Sequence, residues 1–488
     1  MQPFQFAMPG ALRLRTVQAL IDDDGACSLV YDVERAAVFE VPEELRWYVA
    51  PALETGNLDE EILGWLASED LLTGEGSADW SWSARQGGAW GVADLAGHGW
   101  EVVHGWIDQS AAGPAIEAVD RVFKRSLGSS RIHLHLDRVG TLPADGLVER
   151  VVAEGRRRAA LSGQEVSFEL TLDPDQITAA VASGLAAQRV VVRLRCGECD
   201  PLKWVGTARE DRPWLHAEVA VAMLVAQSER REEAPQPETG HEPQAGRLQA
   251  LTVQCLLDGP ARLIELWRWA AAIGVRSLDA IRLEESAGGA AARGRGEAAP
   301  AARVREYRQD LHAICEETCA ELEAGRLPID FQPLTRIVRR LMRSEVPAGM
   351  EAGDGEMVIS EDGRPFPGVE GLDPRLLPEL MWQRLEEPAQ AGPGRTAGSS
   401  SCVTCWARRA CSHSAYVASP LCKEDPREPT RERCSYWLAE VETAVRLYHR
   451  LAQIDAIQVR RFFECAAPLQ PAARLRGGDE EWPASKPS

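Results

Sequence analysis

Nothing in the sequence supplies a membrane span or an export signal. No run approaches the ~20 consecutive apolar residues that cross a bilayer. The opening MQPFQFAMPGALRLR lacks the apolar core of about 7 to 15 residues that a signal peptide needs. Positive charge is short as well. With 54 Lys and Arg against 74 Asp and Glu, and a formal net charge of −20, the chain has no general basic surface to hold nucleic-acid phosphates or anionic lipid. These shortages give the expectation of a cytoplasmic protein that has neither nucleic acid nor membrane as partner. In a thiol-reducing compartment, cysteines serve as ligands rather than disulfides. Core size is not limiting, because 488 residues with 45% hydrophobic and 26% charged content fit about three globular domains.

Cysteine is where the sequence is dense. Five of the 12 cysteines fall between Cys402 and Cys434, in CVTCWARRACSHSAYVASPLCKEDPREPTRERC. The C-x2-C pair Cys402 and Cys405 turns two thiolates toward one point, Cys411 supplies a third, and Cys422 or Cys434 can close a set of four. Scattered cysteines are usually small buried apolar residues, and clustering of this kind is a metal-ligand pattern instead. Spacing alone does not separate zinc from iron–sulfur.

In chain order, residues 1–75 read as a small unit. Ala26 to Val33 and Ala36 to Val41 form two β-rich runs around a polar turn at Glu34 and Arg35. Pro42 can open a helix with Leu45, Tyr48 and Val49 on one face, and Asn57 or Asp59 can cap a second helix carrying Ile62, Leu63 and Leu66. A hairpin on short helices is a winged-helix-like arrangement. Trp80, Trp82 and Trp90 then sit among Gly and Ser, in a hairpin or cover loop.

From Trp100 to Glu284 strands alternate with helices. The expected strands are Glu101 to Trp106, Arg131 to Leu136, Val166 to Leu172, Arg189 to Leu194, Leu251 to Leu256 and Ser277 to Leu283. Amphipathic stretches at Ala115 to Leu127, Gly146 to Leu161 and Ala261 to Ile273 lie between them. Such alternation implies parallel strands with right-handed crossovers, a full or partial βα-barrel. Ser228 to Gly246 and Ser286 to Ala302 have compositions that cannot bury a core and are expected to be disordered. Cys315 and Cys319 share one helix face and read as core, while Cys196 and Cys199 form a loop pair. His104, His133, His135 and Asp137 fall near strand ends. His133 and His135 share a strand face, which permits metal binding or catalysis.

The segment CVTCWARRAC, followed by Cys434 and the closing helix WLAEVETAVRLYHRL, resembles the SPASM domain of radical SAM peptide maturases. GDGEMVISEDGRPFPG is similar to the β-hairpin that opens that domain, and the front unit resembles the leader-binding recognition domain of peptide-modifying enzymes. The resemblance implies an α/β fold with four parts. These are a winged-helix-like peptide-recognition domain (1–75), a degenerate, partial radical-SAM-like βα-barrel (76–345), a SPASM-like iron–sulfur domain (346–455) and a largely disordered tail (456–488).

The departures from the family carry as much information. The loop HGWIDQSAAGP, His104 to Pro114, has no cysteine where the family places C-x3-C-x2-C, and RIHLHLDRVGTLP stands where a glycine motif would cradle the methionyl amine. Without those thiolates, S-adenosylmethionine has no iron to bind and no electron donor for its cleavage. In the SPASM-like part, Met350, Gly368 and Ala415 stand where cysteines of one auxiliary cluster are expected, whereas Cys402, Cys405, Cys411 and Cys434 of the other are all present. The resemblance thus implies one auxiliary 4Fe-4S cluster on those four sulfurs, with Cys422 spare and zinc as the alternative. The implied function is that of a pseudoenzyme in ribosomal-peptide maturation. Its partners would be a precursor peptide, an active radical SAM maturase, or both. The alternatives are an electron-transfer iron–sulfur protein and an enzyme with an unrelated site in the barrel.

Overall fold

A computed structural model describes residues 12–14, 17–22, 25–32, 37–69, 71–74, 102–107, 112–126, 129–136, 146–188, 190–199, 215–232, 250–257, 262–282, 300–342, 356–359, 365–367, 405–407 and 431–466. The chain divides into two compact units. One comprises residues 1–90, 334–352 and 377–453, and the other residues 91–333, 353–376 and 454–488.

In the first unit, β1 (Leu12–Leu14) pairs antiparallel with β5 (Leu72–Gly74), which closes the ends of the front segment on each other. Between them lies a three-stranded antiparallel sheet of β2 (Val17–Ile21), β3 (Cys27–Asp32) and β4 (Ala37–Glu40), in the order 2-3-4. The expected hairpin is β3 and β4, with Asp32 opposite Ala37. β2 was not expected, and with it in place β3 is the central strand. Among the described residues the edges of this sheet are β2 and β4.

Two short helices cover one face of the sheet. Pro42 opens only a 3-10 turn at Glu43–Leu45, and α1 (Val49–Thr55) starts later, so Tyr48 is exposed rather than on the buried face. α1 ends at Gly56, whose φ of 79° is the left-handed conformation that glycine adopts without strain. Asp59 caps α2 (Glu60–Ser68), its carboxylate accepting the Ile62 amide at 2.9 Å. Val30, Val41, Leu45, Val49, Leu53, Ile62, Trp65 and Leu66 form one buried core, joined by the half-buried Val17, Ala19 and Phe39.

The second unit is built on a parallel sheet. β6 (Val102–Ile107), β7 (Arg131–Leu136), β8 (Glu165–Leu172), β9 (Val191–Cys199), β10 (Ala250–Leu257), β11 (Ser277–Arg282) and β12 (Asp330–Phe331) pair in sequence order, all parallel. Between successive strands run α3 (Ala112–Arg125), α4 (Leu147–Ser162), α5 (Ala179–Gln188), α6 (Leu215–Glu232), α7 (Leu263–Ala272) and α8 (Pro300–Glu323). α6 continues through residue 232 and α8 begins at residue 300, so each of the two segments expected to be disordered is helical at one end. α9 (Gln332–Met342) follows β12, and from Leu334 onward it belongs to the first unit. The expected hairpin, β13 (Glu356–Ile359) and β14 (Pro365–Pro367), is antiparallel, and its first strand lies parallel to β6, extending the large sheet.

α10 (Arg431–Leu451) belongs to the first unit and α11 (Ala456–Ala466) to the second, so the start of the segment expected as a disordered tail is a helix. No helix among the described residues is long and apolar enough to cross a membrane.

One face of the large sheet is apolar. Ile132, Leu134, Leu136, Phe168, Leu170, Val192, Leu194, Val253 and Leu278 are buried there. Glycine allows a close helix approach: a Cβ on Gly155 of α4 would lie 2.8 Å from two ring carbons of Phe168 and 3.2 Å from Leu134 Cδ1.

Candidate functional site

Two places carry chemistry, one in each unit. In the first unit, Cys405 and Cys434 are half-buried, Cys434 lying in the first turns of α10. Cys402, Cys411 and Cys422 lie outside the described residues, as do Met350, Gly368 and Ala415. Among the described residues, no group of three or more His, Cys, Asp or Glu is placed to hold a metal. The described members of the set nevertheless differ from the other cysteines. Cys27, Cys196, Cys255, Cys315 and Cys319 are buried, and burial pushes the Cys27 thiol up to about 11. Such a thiol stays protonated at neutral pH, as a core residue should, whereas a metal ligand must ionise.

The Cys405 segment and the front sheet are in contact. Trp406, the residue after Cys405, is buried and meets Tyr31 of β3 edge to face, with centroids 6.2 Å apart and planes at 75°. From α10, Arg446 ion-pairs with Asp22, donates to the Ile21 carbonyl at 2.9 Å and to Ser28 Oγ at 3.4 Å, and lies 3.7 Å from Glu442. Ser28 Oγ in turn donates to Asp22 at 3.0 Å. About three turns of α10 separate Arg446 from Cys434. The sheet that carries the candidate peptide edges is therefore held by helix α10 and by the Cys405 segment.

The second place is the polar face of the large sheet. Because side chains alternate along a strand, His133 and His135 of β7 share a face with Ser167, Glu169 and Thr171 of β8, Arg193 and Arg195 of β9, Thr252 and Gln254 of β10, and Ser277 and Asp279 of β11. His133 Nδ1 contacts Ser167 Oγ, and His135 Nδ1 lies 3.6 Å from Glu169 Oε2. Arg193 bridges two carboxylates: its Nε donates to Glu169 and its Nη1 to Asp279 Oδ2 at 2.9 Å. Gln254 donates to the same Asp279 oxygen at 3.2 Å and accepts from Arg195 Nε at 3.2 Å. At the far end Gln332 donates to Ser277 Oγ at 2.8 Å, and Ser277 Oγ donates to Asp330 Oδ2 at 3.4 Å.

The chain Glu169–Arg193–Asp279–Gln254–Arg195 thus links four strands by hydrogen bonds, with His135 of a fifth 3.6 Å from Glu169. His135, Glu169, Gln254 and Asp279 are all buried. Taking charges out of water costs several kcal/mol per ion before pairing offsets it, so a sheet face that carries such a chain is a candidate site.

Of the residues singled out by sequence, His133 and His135 fall inside this network, His104 occupies β6 opposite His133, and Asp137 lies outside the described residues. Glu169, Arg193, Arg195, Gln254 and Asp279 were missed. Their signal was present, since strands buried in a parallel sheet read as nearly continuous apolar runs, and E-x-T, R-x-R, T-x-Q and S-x-D interrupt those runs at every second position.

No family model matches the chain, and no curated protein matches it. Solved structures similar to it include native anSMEcpe, an anaerobic sulfatase-maturating enzyme of the radical SAM/SPASM type, with bound AdoMet and the Cp18Cys peptide. The identity is 10%, covering 71% of this chain and 98% of that one, with a TM-score of 0.46. The same enzyme with AdoMet and the Kp18Cys peptide aligns at 12% identity over 71% of this chain and 98% of that one, with a TM-score of 0.47. Its hexahistidine-tagged form with AdoMet aligns at 10% over 74% and 98%, with a TM-score of 0.48.

Proposed function

We propose that this chain is a non-catalytic relative of radical SAM peptide maturases that binds a precursor peptide, an active maturase, or both. In this reading residues 1–75 capture peptide, residues 76–345 are a degenerate partial βα-barrel, residues 346–455 are SPASM-like, and the working compartment is the cytoplasm. Cys402, Cys405, Cys411 and Cys434 hold one 4Fe-4S cluster, with zinc as the alternative occupant. Bound there, a cluster supplies a rigid cross-link between the Cys402–Cys411 segment and α10, and a one-electron relay.

The observation that carries the reading is the contact of Trp406 and Arg446 with the front sheet. It joins the cysteine-bearing segments to the strands whose edges can accept an added peptide strand. The edge available is β2 or β4. Of these, β2 is engaged at its end by Arg446, through the Ile21 carbonyl.

Co-expression with neighbouring genes, followed by size-exclusion chromatography, tests the binding role. The expected result is co-elution with a precursor peptide or an intact maturase, and elution alone in every combination contradicts it. With dithionite and S-adenosylmethionine the protein is expected to yield no 5′-deoxyadenosine above a protein-free control, because the loop from His104 to Pro114 has no thiolate.

A second reading, an enzyme with its own site in the barrel, is favoured by the His135–Glu169–Arg193–Asp279 network. Its test is a small-molecule screen by thermal shift. A ligand whose stabilisation vanishes in Glu169→Gln and Arg195→Met would place the chemistry on that sheet face.

A further inference from the structure

The front of the first unit has an exposed aromatic corner with an acidic rim. Trp47 and Tyr48 are adjacent and 57% and 62% exposed, among the few large apolar side chains so placed in the described residues. Trp47 Cζ3 lies 3.8 Å from where a Cβ on Gly25 would stand, so the indole lies over the turn between β2 and β3. Packing of the unit's own core does not explain the pair, since Leu45 and Val49 on either side are the residues turned inward.

Beside the rings acidic groups outnumber basic ones. Glu40 at the end of β4 and Glu43 and Glu44 in the following turn are all exposed, and Asp22 follows directly on β2. The bases nearby are engaged. Arg46 donates to Glu40 and to the Val41 carbonyl, both at 3.4 Å, and Arg446 is committed to Asp22 and the Ile21 carbonyl. His449 faces Glu40, but burial depresses its pKa and leaves it neutral at pH 7, so it does not offset the carboxylates.

An indole and a phenol face beside an excess of carboxylates, Glu43 and Glu44 among them, attract a cation twice over, through the ring quadrupoles and through Coulomb attraction. The position favours a peptide. Among the described residues β4 is an edge strand of the front sheet, paired only with β3; Glu40 ends it, and Glu43, Glu44, Trp47 and Tyr48 follow within eight residues. We propose that this corner takes a Lys- or Arg-bearing segment of an extended peptide lying along the β4 edge. This rests on the peptide-binding reading above and narrows it: the occupant is cationic, and the edge is β4 rather than β2.

Two fluorescein-labelled synthetic peptides of equal length, Val alternating with Lys or Val alternating with Glu, test it by anisotropy on the full chain. The Lys peptide should bind and the Glu peptide should not, and raising NaCl from roughly 0.05 to 0.5 M should weaken binding. Trp47→Ala should weaken it about two- to fivefold, the loss of one exposed cation–π contact. The double variant Glu43→Lys/Glu44→Lys should weaken it about tenfold or more. Glu117→Lys, the same reversal on exposed α3 of the second unit, should leave it unchanged, and circular dichroism of each variant shows that the fold persists.

Equal binding of both peptides, no binding of either, or binding indifferent to Trp47→Ala and to the charge reversal overturns the proposal. A natural precursor that co-elutes with wild type and equally with these variants keeps the broader reading and sinks only the corner. Binding of the Lys peptide at the corner with no precursor or maturase co-eluting keeps the corner and sinks the broader reading.

Discussion

Arg446→Met removes the ties between α10 and the front sheet while keeping most of the aliphatic stem. The side chain is 15% exposed and Asp22 32% exposed, so water replaces part of what is lost. A hydrogen bond to a charged group is worth about 1.5 to 3 kcal/mol and a neutral one about 1. With both the Asp22 pair and the charge-assisted contact to the Ile21 carbonyl at 2.9 Å discounted for their exposure, the substitution should cost about 2 kcal/mol. In a unit of this size each kcal/mol moves the melting midpoint by about 2 to 4 °C, so a fall of roughly 4 to 8 °C is expected by differential scanning fluorimetry. Hydrogen exchange should accelerate at residues 19–30, where β2 and β3 begin to open. Asp22→Asn should reproduce part of the loss, and the double variant should cost less than the two singles together because they share one contact. An unchanged midpoint with unchanged exchange would show that α10 and the front sheet are not held by this residue. The same geometry bears on truncation. Deleting residues 1–75 strips the partner from Trp406 and Arg446, so such a chain reports lost packing along with any lost peptide binding, and point changes at the β4 edge are the cleaner probe.

Two further outcomes follow from buried groups. Arg193→Ala leaves the buried carboxylates of Glu169 and Asp279 without their shared guanidinium and should cost about 3 to 5 kcal/mol in urea unfolding. Combining it with Glu169→Gln and Asp279→Asn should recover much of that, and a loss that persists in full would mean that packing, not charge, is what Arg193 supplies. At pH 8 iodoacetamide should leave Cys27 unmodified in the native protein and label Cys405 and Cys434 once metal is removed, read by peptide mass spectrometry. Burial raises the Cys27 thiol from 9.0 to about 11, so the thiol form is favoured in the folded state. That contribution is complete below pH 9 and is lost as pH rises toward 11.

Much of the fold could be read in the sequence because it is carried by local patterns. The strand runs at Arg131 to Leu136 and Ser277 to Leu283 end within a residue of β7 and β11, since apolar residues there stand between clear helix and turn signals. A cap at Asn57 or Asp59 was legible, and Asp59 is the one that forms. β2 was not, because its five residues, VQALI, contain only one fully buried side chain and gain their identity from pairing with β3. The polar network was missed for a related reason. An Arg193 or a Glu169 in isolation reads as a break in a strand, and only the register that lines up five strands turns those breaks into one connected face. The contact of Trp406 with Tyr31 joins residues far apart in the chain and has no local signature.

The central claim is that Cys402, Cys405, Cys411 and Cys434 hold a single 4Fe-4S cluster, and metal and sulfide analysis of anaerobically purified protein tests it most directly. About four iron and four sulfide per chain are expected, with an empty site in Cys434→Ala and a full one in Cys422→Ala. Stoichiometric zinc without iron, or iron content unchanged in Cys434→Ala, would contradict it.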